Sequence, residues 1–127
     1  MSCHPNDIQL TADFLLTHSK EKPYFEAMVR SSVSRSYYAF FHSVLVYAPP
    51  EIKRMRGGRK HEKTIQWMRN HKNKDIRKLG LYLDNLRLER TVCDYDIDKI
   101  IDLDVLVLES KRVFSFIKEL QQIFSNQ

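Results

Sequence analysis

Residues 23–50 run PYFEAMVRSSVSRSYYAFFHSVLVYAPP, and the reading of this stretch decides the fold. Pro23 suits the first turn of a helix, where a missing backbone N–H leaves no bond unmade. Phe25, Val29, Val33, Tyr37, Phe40, Phe41, Val44 and Leu45 then recur at spacings of three and four, the period of a helix with one buried side. Pro49-Pro50 ends it, because proline neither donates the helical bond nor fits against the preceding turn. A helix from Pro23 to Leu45 is therefore the predicted spine of the molecule.

The same period extends outward from this spine. Upstream, Ile8, Ala12, Leu15 and Leu16 predict a helix from about Asn6 to His18. Downstream, Pro49 to Lys60 holds Arg54, Arg56, Gly57, Gly58 and Arg59, the composition of an exposed, mobile basic loop. A short helix follows with Ile65 and Met68 inward, while the side taken by Trp67 is open. Another begins near Asp75 and carries Leu79, Leu83 and Leu86 on one stripe. A last helix over about Leu103 to Phe124 has Leu103, Leu106, Val113, Ile117, Leu120 and Phe124 in a three-four repeat, suited to a bundle or a helix-helix dimer seam. Val105 to Leu108 alone would pass for a strand, but the period continues through it. With three glycines and four prolines in 127 residues, the expectation is all-α. It is a bundle of four to five helices forming a single domain over residues 1–127, and a two-fold dimer is expected.

Composition excludes several classes of protein. Hydrophobic residues at 43% and charged residues at 29% describe a globular chain, not a disordered one. The longest uncharged apolar stretch, Tyr37 to Pro50, is too short to span a bilayer and contains His42, so no membrane association is expected. Asp7 and Asp13 interrupt any N-terminal apolar run, so no leader is expected. Cys3 and Cys93 suggest no disulfide framework, and a cytoplasmic setting follows.

Charge is distributed unevenly. Residues 50–80 hold eleven basic and three acidic side chains, a local net of +8 within a chain of net +5. Residues 81–127 hold six basic and nine acidic. A basic segment of this density can neutralise phosphates, with release of counterions favouring RNA or another polyanion. The alternative is a solubilising surface, partly matched by the acidic segment of a second subunit.

Arg90 continues the stripe of Leu79, Leu83 and Leu86, so it projects from a packed face. A guanidinium there must be paired, hydrogen-bonded or lining a cleft. Asp94, one turn on, could close the helix end as a structural ion pair. The functional reading is an arginine held to meet a phosphate, for which its planar fork is suited. Arg35, Tyr38 and His42 share one face of the spine helix; His42 could be a satisfied core residue or a proton-transfer group. No metal or cofactor is expected. The run Asp94, Asp96, Asp98, Asp102, Asp104 lacks the glycine turn and terminal glutamate of a calcium loop. His61 and His71 stand ten apart, Cys3-His4 is isolated, and Gly57-Gly58 lacks the flanks of a phosphate loop. Cys93 is expected to be a small packed residue.

Two motifs point to a family. Arg35-Ser36-Tyr37-Tyr38-Ala39-Phe40-Phe41-His42 resembles the R-x-Y-Y-A-x-F-H motif of HEPN domains. Leu86-Arg87-Leu88-Glu89-Arg90-Thr91-Val92-Cys93-Asp94-Tyr95 is similar to the L-x-x-x-R-x-x-A-D-Y motif of one branch of that superfamily, with Cys93 in place of alanine. His61 matches a histidine common at the start of that branch's third helix. The resemblance covers nearly the whole chain. It implies a dimeric helical bundle of the kind found in toxin–antitoxin, CRISPR and phage-defence systems, where many members are metal-independent RNases. Arg90 matches their catalytic arginine. Their histidine, four to six spacers later, has no counterpart: Tyr95 stands five residues after Arg90, and no histidine follows His71.

The implied role is RNA binding or atypical RNase activity. Arg90 would contact phosphate, and His42 or Tyr95 would supply hydrogen bonding or proton transfer. Arg35, Arg54, Arg56, Arg59, Lys60 and His61 would hold the RNA backbone. Two alternatives stand beside it. In one, the chain is the helical partner of a minimal nucleotidyltransferase that acts as the antitoxin, with Tyr95 the site of nucleotide attachment or a contact to the nucleotide. In the other it is a scaffold, with Arg90 and Asp94 structural.

Overall fold

A computed structural model describes residues 25–95 and 103–126. Within them lie five helices and no strand: α1 (Phe25–Leu45), α2 (Pro50–Lys53), α3 (Gly57–Arg69), α4 (Lys74–Tyr95) and α5 (Leu103–Ser125). The helix expected over Asn6 to His18 lies outside the described residues.

The spine, α1, is buried on more than one side because α4 and α5 both pack along it. Val29, Val33, Tyr37, Phe40 and Val44 are fully buried, and the small Ser32, Ser36 and Ala39 between them let both neighbours come close. The leucine stripe of α4 packs inward as Ile76, Leu79, Leu83 and Leu86. From α5 the core takes Leu106, Val113, Ile117 and Leu120, while Phe124 is half-buried. Each large apolar side chain taken fully from water contributes roughly 1.5–3 kcal/mol, so this stripe-on-stripe packing fixes which faces meet. Val105 to Leu108 is helical, as its continuing period requires. No helix of the described residues is long and apolar enough to cross a membrane.

The segment expected as a basic loop is more ordered than its composition suggests. Pro50 opens the short α2, and buried Ile52 anchors it. Gly57 then adopts φ +66°, a left-handed conformation that lets the chain turn directly into α3. Arg54 and Arg56 therefore sit on the connection, whereas Arg59 and Lys60 belong to the start of α3. Trp67 is half-buried at the far end of the bundle. There Phe124 stacks on Tyr47 at 4.4 Å between ring centroids and on Trp67 at 6.2 Å.

Two further contacts set the position of α4. Gly80 lies so close to α3 that a Cβ there would stand 2.8 Å from Met68 Cβ. Arg30, only 8% exposed, reaches from α1 to the carbonyls of Val92 (3.3 Å) and Cys93 (3.2 Å) while Glu26 holds it from one turn back. These carbonyls belong to the last turn of α4, whose C-terminal groups have no partners within the helix. Arg30 thereby fixes the end that carries Arg90 and Tyr95.

Candidate functional site

Three helices converge on Arg90. The α4 stripe that buries Leu79, Leu83 and Leu86 turns Arg90 toward α1, and its side chain is 17% exposed. The guanidinium carbon lies 5.0 Å from the centre of the Tyr38 ring, 5.8 Å from Tyr95 and 6.0 Å from Tyr37. Cations within about 6 Å of a ring face are attracted by its quadrupole, so the three tyrosines frame the arginine. Asp94 Oδ2 stands 3.0 Å from Arg90 Nε. That ion pair is not an aligned hydrogen bond, for buried Nε finds no acceptor in bonding geometry. Asp94 also accepts from the Ser34 hydroxyl at 3.3 Å.

Beneath this lies His61. Its ring stacks on Phe41 with centroids 4.1 Å apart, and its Nδ1 meets the hydroxyl of Tyr37. Burial pushes the His61 pKa down to about 4, with Arg87, Arg90, His42 and Lys60 adding repulsion. It is therefore neutral at physiological pH. Burial raises the Tyr37 pKa, so its hydroxyl stays protonated and can donate to Nδ1. The ring proton of His61 would then reside on Nε2. The His42 pKa is lowered too, by burial and by Lys60.

The structure sorts the candidate residues. Arg90, Asp94 and Tyr95 come together at the end of α4, with His61 and Lys60 entering from α3. His42 is exposed at the rim, its ring 6.1 Å from Tyr38. Arg35 is exposed and lines a groove with Ser34 and Asp94. Arg54, Arg56 and Arg59 are exposed and take no part in the contacts of Arg90.

Sequence reasoning missed Arg87, Tyr37 and Arg30. Arg87 is half-buried, close enough to His61 and Tyr37 to shift both, and continuous with a groove between α3 and α4. The available signal was its place one turn before Arg90 on the same helix. Arg30 carried no such signal, since a polar residue on an apolar face is legible only once its distant partners are known.

Chemically, the cluster is a cation site with aromatic walls. Arg87, Arg90 and Lys60 surround His61, and Asp94 is the carboxylate in direct contact with Arg90. Cys93 is buried and its thiol is pushed up to about 11 by burial, which makes it unreactive at neutral pH. Among the described residues no three histidine, cysteine, aspartate or glutamate side chains gather as a metal site would require. No family model, curated protein or solved structure matches this chain.

Proposed function

We propose that this chain is an RNA-binding protein of HEPN-like architecture, of the toxin or defence type, in which Arg90 receives a backbone phosphate. The observation that carries the reading is Arg90 itself: a mostly buried guanidinium framed by three tyrosines, whose Nε has no aligned acceptor. A phosphate oxygen would take the place of Asp94 Oδ2, the anion that now stands 3.0 Å from this nitrogen, in the bidentate geometry that arginine favours. Arg87 and Lys60 add positive charge, and the rings of Tyr38 and Tyr95 offer faces on which unpaired bases stack.

Binding is better supported than cleavage. A histidine with a pKa of about 4 is a weak base, and the cations that depress it would have to be opposed by bound phosphate before it gained strength. In a cleaving version His61, His42 or Tyr95 would move the proton and Arg90 would stabilise the phosphorane charge.

The test is a titration of labelled single-stranded RNA, with the gel read for cleavage products. The wild-type protein should bind with strong salt dependence, and Arg90→Ala should weaken binding at least about tenfold, the worth of one charged hydrogen bond. Absence of binding at low salt would overturn the reading.

The two-fold dimer belongs to the same proposal. Leu81, Leu88 and Tyr95 are 44%, 62% and 74% exposed at seven-residue intervals along α4, the spacing of a helix-pairing seam. Pairing there would bring two copies of the Arg90 site close together. A monomer by sedimentation at micromolar concentration would exclude it.

The exposure of Tyr95 favours a second reading, as partner of a minimal nucleotidyltransferase that attaches a nucleotide to its hydroxyl. Mass spectrometry after co-expression with such an enzyme decides it. An unmodified Tyr95 argues against the pairing.

A further inference from the structure

We propose that the groove between α3 and α4 is a base subsite, which takes the nucleobase next to the phosphate held at Arg90 and prefers guanine to uracil. This rests on the RNA-binding reading above and specifies what that site would recognise.

The groove has a volume of about 390 Å³, within the range of roughly 300–1,000 Å³ typical of sites for small ligands. Ile65 is the apolar residue of its lining, almost fully buried, and the other lining side chains are polar or charged. Arg87 lines it and also faces His61 and Tyr37, so the groove runs directly into the cation cluster. A nucleotide whose phosphate sits at the cluster thus has its base within reach of the groove.

The groove's charges suit a base and not a second phosphate. The carboxylates of Glu62 and Asp84 line it and would repel an anion. Arg69 is already engaged by Asp84 at 3.7 Å, which leaves the lining of mixed sign. Glu62 and Gln66 on α3 and Asn70 at its C-cap stand at successive intervals of four, a polar row along one wall. Such a row presents a carboxylate and two amides to the edge of a neutral planar ligand.

Base preference follows from the carboxylate. The Watson–Crick edge of guanine offers N1–H and the N2 amino group as two parallel donors, which a carboxylate accepts together. Its O6 can accept from an amide of Gln66 or Asn70, or from Arg87. Uracil offers one N–H between two carbonyl oxygens, and those oxygens oppose a carboxylate. Glu62 is free for this role, since it is exposed and forms no ion pair among the described residues.

The experiment compares two labelled single-stranded oligoribonucleotides of equal length, one all uridine and one alternating guanosine with uridine. Wild-type protein should bind the guanosine oligomer about tenfold more tightly, the discrimination of one good bidentate base contact. Glu62→Gln, a surface change that keeps shape, should bring the ratio near one while leaving the uridine oligomer bound. Arg90→Ala should weaken both oligomers alike. Equal wild-type binding of the two, or a ratio unaltered by both Glu62→Gln and Gln66→Ala, would overturn the subsite and leave the phosphate site standing. If neither oligomer binds at low salt, the RNA-binding reading fails and the subsite fails with it.

Discussion

The Tyr37 hydroxyl meets Nδ1 of His61, and this contact ties the α1 spine to α3 directly beneath the cation cluster. Tyr37→Phe keeps the ring stacked between its aromatic neighbours and removes only the hydroxyl. The expected loss is on the order of 1 kcal/mol in a denaturant melt, with the helical circular-dichroism spectrum unchanged.

His61 should remain neutral from pH 6 upward and titrate near 4, measurable by imidazole nitrogen NMR. Its folded pKa lies below the ordinary histidine value of 6.5, so the folded state binds fewer protons than the unfolded chain between those values. The corresponding stability is present above pH 6.5 and is lost as pH falls through 4. Part of this acid sensitivity should disappear in His61→Gln. A His61 midpoint above 6 would show that burial and the neighbouring cations do not disfavour its charged form.

Glu89 gives the opposite dependence. Burial pushes its carboxyl up to about 8, reinforced by a hydrogen bond with Glu109 of α5 and by that residue's charge. A raised acid contributes stability that is present below the ordinary value of 4.5 and is lost as pH rises through 8. Glu89→Gln, permanently neutral, should melt with a flatter profile than the wild type between the ordinary value of 4.5 and the raised value of about 8. Identical slopes would mean that the two carboxyls do not share a proton.

Gly80→Ala should destabilise the protein even though alanine favours helix by about 1 kcal/mol. The new Cβ would lie 2.8 Å from Met68 Cβ and 3.3 Å from the backbone nitrogen of Arg69, and neither atom belongs to a flexible side-chain end. Overpacking of this kind costs about 1–3 kcal/mol, so a net lowering of the melting temperature is expected.

Arg30→Ala should cost about 2–3 kcal/mol, because it strips a buried charged donor from two α4 carbonyls and from Glu26. The change touches no residue of the cation cluster directly. A melt as stable as wild type would remove Arg30 as the anchor of the α4 end.

Most of the fold was legible because burial imposes a period. The residues of α1 from Val29 to Val44, the leucines of α4 and the inward face of α5 all announce themselves at three-four spacing. Local chemistry was less decisive between Pro49 and Lys60, where glycines and arginines suggested an open loop. Ile52 and the left-handed Gly57 instead convert that stretch into a short helix and a direct entry to α3. A single buried isoleucine outweighs a polar composition, yet its burial depends on partners remote in sequence.

The site divides along the same line. Arg90 and Asp94 follow from helical geometry, since residues four apart share one face of a helix, whereas Tyr95 was singled out by the motif resemblance. The placement of His61 beside Tyr37, of Arg87 beside both, and of Arg30 under the end of α4 could not be read that way. These contacts join residues 24 to 63 positions apart, and such pairs meet only after hydrophobic stripes have chosen which helices pack together. By itself the sequence determined the helices, their buried faces and the arginine that leaves the stripe. Tertiary packing decided that this arginine stands among three tyrosines, near a neutral histidine and one turn from Arg87, which lines a polar groove. The reason is that periodicity encodes burial within one helix, whereas a pKa, an ion pair or a cleft depends on what the neighbouring helices bring.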